Sequence, residues 1–260
     1  MRGTVAIFGL LWCAASGASA ADAPPICADR PGKATSTCTA PLGHWQLETG
    51  LADWTVQKQD GERDTLLVLG ETTVKYGISD SADIEIDVTP WQRATADHAS
   101  AAGFGDLNLI YKQQLTAPDA TPHFSFYGFV KIPTSNRELG NRKVEGGVAL
   151  PVSFAMADSP LSVALTPELD WAADEDGHGH HAAMAQVISL GWQANERLNL
   201  SGELWGQWDW DPMGTTRQAS ADAAAAYLIS NDVQLDFGAN LGLNRNTPDV
   251  ELYGGVSKRF

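Results

Sequence analysis

From residue 44 onward, apolar and polar side chains alternate with a period of two, the mark of strands that present one apolar face. The cleanest stretch sets Ile84, Ile86 and Val88 against Asp83, Glu85 and Asp87. Trp45, Leu47, Thr49 and Leu51 share a face in the first candidate strand, and Leu66 to Tyr76 form the second. Leu107–Tyr111, Phe124–Ile132, Val144–Phe154, Leu161–Trp171, Leu198–Trp208, Val233–Leu243 and Val250–Val256 repeat the design. Two Ala-rich stretches, 182–194 and 218–230, have ambiguous facing. With them the pattern predicts twelve strands, mostly of the roughly ten residues that a tilted membrane-crossing strand needs.

The connections alternate in length. Short turns are expected at Ser79–Ala82, Ala157–Pro160, Asn195–Arg197 and Asn231-Asp232, with Thr116–Thr121 somewhat longer. Longer polar loops are expected at 57–63, 92–102, 134–143, 173–181 and 211–217. Counted from a periplasmic start, every long loop falls on the outer side, the arrangement of bacterial outer-membrane barrels. The fold class expected is therefore all-β, a transmembrane antiparallel up-and-down β-barrel of about twelve strands. A secreted β-sandwich also alternates, but it turns its apolar side inward and tolerates shorter strands.

Charge sorts with the faces. Thirteen carboxylates lie on polar faces: Glu48, Glu71, Asp83, Glu85, Asp87, Asp106, Glu145, Glu168, Asp170, Glu203, Asp209, Asp236 and Glu251. Lys75, Lys112, Lys131 and Arg259 join them, whereas Asp53 and Lys258 fall on the apolar side near strand ends. A charge facing the bilayer midplane costs about 2–4 kcal/mol, so lipid contact selects such a distribution. All these polar-face residues except Asp209 and Arg259 are taken as the expected lining of the lumen. Trp45, Trp91, Trp171, Trp192, Trp208 and Trp210 stand near strand ends, where an interfacial aromatic belt belongs.

Seventeen Lys+Arg against thirty-two Asp+Glu give a net charge of −15, which argues against a nucleic-acid partner. A mean hydropathy of −0.18 is too polar for a helical membrane protein. No dinucleotide fingerprint, P-loop, nucleophile elbow or CxxC pair occurs, and no cofactor or metal is expected. Residues 1–20 read as a secretory signal peptide, with Arg2, an apolar run from Val5 to Ala15 and the small-residue site Ala18-Ser19-Ala20. Cleavage leaves Cys27 and Cys38 as the only cysteines, which favours a disulfide in an oxidising compartment. Residues 21–42 are expected to form a periplasmic N-terminal segment carrying that disulfide, and 43–260 the barrel. The terminal Phe260, closing an amphipathic strand, matches the sorting signal read by the barrel-assembly machinery, although Lys258 departs from the usual apolar residue.

Several short motifs resemble one family. Asp29-Arg30-Pro31-Gly32 ahead of Gly43-His44-Trp45-Gln46-Leu47-Glu48-Thr49-Gly50 is similar to its opening. Gly103-Phe104-Gly105-Asp106-Leu107-Asn108-Leu109, followed by Lys112, resembles its central GxGD strand. Asn231 to Gly238, then Pro248-Asp249 and Tyr253-Gly254-Gly255, complete the resemblance. The family is the outer-membrane transporters labelled "MetA-pathway of phenol degradation". The resemblance implies an outer-membrane barrel that takes up small, aromatic molecules.

The functional expectation is passive passage of a small-molecule solute through an acidic lumen, with outer-membrane lipid around the barrel and no enzymatic activity. Such a lining favours cations or neutral solutes over anions. The lumen of a twelve-stranded barrel is either narrow or plugged by the 21–42 segment. The alternatives are a non-conducting structural or surface-interaction barrel, and an outer-membrane lipid hydrolase. For the hydrolase, Ser125 with His123 is the nearest pairing of nucleophile and base, with no third member. The loop Asp174-Glu175-Asp176-Gly177-His178-Gly179-His180-His181 offers imidazoles that suit a transition metal, set in a Gly-rich and solvated stretch.

Overall fold

A computed structural model describes residues 24–96 and 99–260. The expected signal peptide lies outside the described residues. The strands are β1 (Trp45–Gln59), β2 (Glu62–Leu69 and Glu71–Ser79), β3 (Ala82–Val88 and Trp91–Ala96) and β4 (Ala99–Gly103 and Leu107–Gln114). They continue with β5 (His123–Ile132), β6 (Glu145–Ala149 and Val152–Ala155), β7 (Leu161–Ala173) and β8 (His180–Gln193). The last four are β9 (Leu198–Asp211), β10 (Gly214–Ser230), β11 (Val233–Gly242) and β12 (Val250–Arg259). Each pairs antiparallel with its sequence neighbours, and β12 returns to β1 with Gln46 opposite Arg259 and Val56 opposite Val250. The result is a closed twelve-stranded barrel, as the alternation predicts. In hydrocarbon only closure satisfies every strand's backbone N–H and C=O groups.

Burial is inverted relative to a soluble protein. Ile188 and Leu204 are 50% and 57% exposed, whereas Asp83 and Lys112 are 0% exposed. The two Ala-rich stretches become β8 and β10, with Ile188 and Leu190 outside and Ser189, Ser220 and Asp222 buried. Trp45 and Trp192 are exposed at one end of the barrel, and Trp171, Trp208 and Trp210 at the other. Trp91 is half-buried.

Three expected outer loops are corrected. Around 57–63, 92–102 and 211–217 the strands run on, with tight turns at 60–61 and 212–213. The alternation fades there because a strand beyond the bilayer no longer needs an apolar outer face. The stretches 134–143 and 174–179 remain loops, and a further outer connection runs from 243 to 249. Asp53 is also corrected. A bulge between Gly50 and Ala52 shifts the register of β1 against β12. One extra residue exchanges the two faces of a strand, so Asp53 turns inward against Glu251 and Glu71 while Trp54 points out.

β2, β3 and β4 all break at one level, at Gly70, Thr89-Pro90 and Phe104–Asp106. Gly70 has φ +73°, and a Cβ on Gly105 would stand 2.6 Å from that of Thr89, so both positions require glycine. Above the break, among the described residues, the Ala99–Gly103 half of β4 pairs with β3 alone. The 134–143 loop closes that flank, with Thr134 Oγ1 donating to Gly105 O (3.0 Å) and Ser135 N to Asp106 Oδ1 (2.9 Å).

Ile188 sits midway along β8, flanked by Leu165 and Leu204. Ile188→Arg is expected to destabilise the barrel in lipid vesicles by about 2–4 kcal/mol. Denaturant unfolding in vesicles checks the value. An unchanged midpoint would mean that this face does not meet lipid.

Candidate functional site: the lumen and its plug

The N-terminal segment, expected in the periplasm or in the lumen, has its polar groups bound to inward side chains of strands all around the barrel. Cys27 and Cys38 are joined, with their Cα atoms 6.4 Å apart, closing a compact loop. Arg30 donates through Nη2 (2.8 Å) and Nε (3.2 Å) to the two oxygens of Asp236 on β11. Lys33 Nζ donates to Ser220 (2.8 Å) and Asp222 (3.1 Å) on β10, and Lys33 N to Glu203 on β9 (2.7 Å). Thr35 N reaches Thr166 on β7 (3.2 Å), and Thr37 Oγ1 meets Ser153 Oγ on β6 (2.8 Å). Ala40 N donates to Asp83 on β3 at 2.6 Å. Most of these anchors lie towards the short-turn ends of their strands, with Ser220 and Asp222 near the middle of β10, so the segment fills the periplasmic half of the lumen up to about mid-height.

Asp29 is the centre of this packing. Lys75 Nζ and Lys112 Nζ both donate to its carboxylate, the latter at 2.6 Å. Lys75 also meets Glu48 at 2.7 Å, and Lys112 reaches Ser36 Oγ at 3.0 Å. Glu48 in turn accepts from the backbone N–H groups of Asp29 (2.9 Å) and Arg30 (3.1 Å). Burial pushes the Asp29 acid upward, but the two ammonium groups outweigh it and hold the carboxyl well below the ordinary range. Both lysines are almost fully buried, as is required of a charge that is paired on several sides.

The expected lining residues thus fall into three groups. Glu48, Lys75, Asp83, Lys112, Glu203 and Asp236 bind the plug. Asp106, Lys131 and Glu145 tie the outer loops: Lys131 pairs with both carboxylates, and Glu145 accepts from Ala173 N (2.8 Å) and Asn141 (2.9 Å). Glu71, Glu85, Asp87, Glu168, Asp170 and Glu251 stand above the plug. There a cavity of about 270 Å³ is lined by Asp29, Thr35, Glu85, Asp87, Tyr127, Phe129 and Glu168 among others. A second cavity of about 340 Å³ continues past the plug along Ser153, Ser162, Ser189 and Ser201, sharing Asp29 and Thr35 with the first. A third, of about 540 Å³, shares Cys27, Arg30 and Asn199 with the second and reaches Glu196 and Arg197 at a short turn.

The histidines of the 174–181 stretch diverge. His180 stacks on Trp171, ring centroids 3.6 Å apart, and its Nε2 lies 2.8 Å from Val144 O. His181 Nδ1 lies 2.9 Å from Asp174 Oδ1, and its Nε2 lies 2.8 Å from Asp209 Oδ1. Asp174, His181 and Asp211 form the compact group there, without the neighbouring histidines. Ser125 is fully buried and its Oγ has no hydrogen-bond partner, so His123 does not activate it. Sequence reasoning missed Arg30, Lys33 and Asp222 as polar partners. The plug cations stand outside any strand, and Asp222 sits in an Ala-rich stretch whose facing is ambiguous.

The closed barrel, its apolar outer band and its inward-facing carboxylates define a transmembrane β-barrel of the outer-membrane type. The sequence matches the family described as MetA-pathway of phenol degradation over residues 28–260, and the chain belongs to that family. No curated protein matches it significantly. Among solved structures, it is similar to the translocator domain of the autotransporter NalP from Neisseria meningitidis. That match has a TM-score of 0.53 and 12% identity, covering 84% of this chain and 89% of that one. The Ralstonia pickettii toluene transporter TbuX aligns with a TM-score of 0.48 and 12% identity over 89% of this chain and 93% of that one. The monoaromatic hydrocarbon channel CymD aligns at 0.47 and 10% over 84% and 88%.

Asp29→Asn is expected to loosen the plug by about 3 kcal/mol, because Lys112 is left buried without a carboxylate. Faster amide hydrogen exchange at residues 28–36, with unchanged exchange in β7 to β9, checks this. Protection that stays as in the parent protein would remove Asp29 from the centre of the packing.

Proposed function

We propose that this protein passes small molecules passively across the outer membrane, through an acidic chamber and then along one side of a fixed plug. The observation that carries the reading is the run of three cavities. Each shares lining residues with the next, from the chamber between β2 and β7 to the short-turn end beside β8 and β9. The plug is hydrogen-bonded on several sides, but along β6 to β9 it meets short serine side chains that leave space. A buried acidic lining with few free cations disfavours anions, so cationic and neutral solutes are the ones admitted. Tyr127 and Phe129 give the chamber an aromatic surface suited to one-ring solutes, in keeping with the family's description. The Ser125–His123 pairing lends the hydrolase reading no support, since Ser125 Oγ is buried without a hydrogen-bond partner.

Export by a cleaved leader in residues 1–20 and delivery to the assembly machinery through the β12 strand belong to the same proposal. Phe260 N donates to Trp45 O at 2.8 Å, so the final residue helps join the last strand to the first.

In planar bilayers the full chain is expected to show small, cation-selective conductance. Removal of residues 24–40 is expected to raise it severalfold by emptying the periplasmic half of the lumen. A barrel that shifts normally on heating in electrophoresis yet stays silent, or one that selects anions, would overturn the reading.

A further inference from the structure

The chamber above the plug has a charge balance that a neutral solute does not explain. Its lining includes four carboxylates, from Asp29, Glu85, Asp87 and Glu168, and no lysine, arginine or histidine. Two of the four are already satisfied. Asp29 is held by Lys75 and Lys112, and Asp87 accepts from Thr73 Oγ1 (3.3 Å) and Asn108 Nδ2 (3.2 Å). Glu85 is not. Its side chain is only 2% exposed, and its Oε1 has no hydrogen-bond partner. The nearest cation, Lys75 Nζ, stands 3.6 Å away and is engaged by Asp29 and Glu48. Among the described residues no ion pair reaches Glu168, which lies across the chamber on β7 beside Asp170. A buried carboxylate left in this state is costly unless a cation joins it.

The same cavity holds two aromatic rings on β5 between these acids. Tyr127 and Phe129 have centroids 6.1 Å apart and planes tilted by 50°, so they offer faces in two directions. A carboxylate beside aromatic faces is the pairing that recognises an organic ammonium, through charge at one end and cation–π contact and apolar burial at the other. The volume of about 270 Å³ lies just under the usual range for drug-sized ligands, which limits the guest to one ring and a short chain.

We propose that the chamber is a binding site for a small protonated arylalkyl amine, its ammonium between Glu85 and Glu168 and its ring against Tyr127 and Phe129. The site rests on the reading of this chamber as the solute's path, and it narrows the admitted solutes to organic cations.

Calorimetry on the purified full chain in detergent at pH 8 tests the site with benzylamine, benzyl alcohol, benzoate and calcium as probes. Benzylamine is expected to bind at least tenfold more tightly than benzyl alcohol, with benzoate giving no heat. Glu168→Gln, which removes no lysine's partner, and Phe129→Ala are each expected to weaken benzylamine about tenfold. Glu85→Gln should do the same while the heat-dependent shift in electrophoresis is retained. Equal binding of the alcohol, binding of calcium in preference to the amine, or indifference to both Glu168→Gln and Phe129→Ala would overturn the proposal. Conductance of the same preparation separates the two readings: binding in a silent barrel defeats passage alone, and a cation-selective channel without amine preference defeats the site alone.

Discussion

A bilayer offers the backbone no hydrogen-bond partners, and that single constraint organises this molecule. Each strand must satisfy its N–H and C=O groups on its neighbours, so the sheet closes where Gln46 to Val56 of β1 meets Val250 to Arg259 of β12. Closure with an apolar outside then commits every polar side chain of the alternation to the inside. The interior cannot be oily, because the period-two pattern that supplies Ile84 and Ile86 to lipid supplies Asp83 and Glu85 to the lumen. The acidity of the lumen is thus the other face of the lipid-contacting surface.

Such an interior has to be neutralised or hydrated. In the periplasmic half the chain neutralises it with its own N-terminal segment. Arg30 and Lys33 arrive at Asp236 and Asp222, while Asp29 arrives between Lys75 and Lys112. The plug carries complementary charge of both signs, set where the wall carries the opposite one. The Cys27–Cys38 link fixes the loop that spaces these groups, so one compact element can address β1, β2, β4, β9, β10 and β11 together.

The architecture was legible because lipid imposes one rule on every strand. Twelve period-two stretches became twelve strands, and even the weakly patterned β8 and β10 fell where the even count needs them. Where lipid ends, the rule lapses. The hairpin ends at 60–61 and 212–213 read as loops because their outer faces are polar. Asp53 read as lipid-facing because a one-residue bulge leaves no trace in the alternation. The polar face was legible as a set, yet not its division of labour. Glu145 ties outer loops and Glu203 holds the plug, although both occupy the same kind of position in a strand. That division depends on where a non-strand segment folds back, which periodicity does not encode.

The asymmetry of compensation is what gives the lumen a direction. Below the level of Asp29 nearly every acid named on the wall has a cation or a plug amide as its partner. Above it, Glu85 and Glu168 face each other across an aromatic wall, and the cations within reach are already engaged. On the proposed passage, a positively charged solute arriving from outside meets its most favourable field at the chamber. Beyond the chamber it would meet the hydroxyl groups of Ser153, Ser162, Ser189 and Ser201 beside Asp29, Arg30 and Glu203, whose charges are already engaged between plug and wall. Passive conduction needs a site attractive enough to enter and a way out too weak to trap. A fully neutralised lumen would supply only the second condition, and a uniformly acidic one only the first. On the proposed passage, a barrel half filled by Arg30 and Lys33 of its own plug separates the two along the axis.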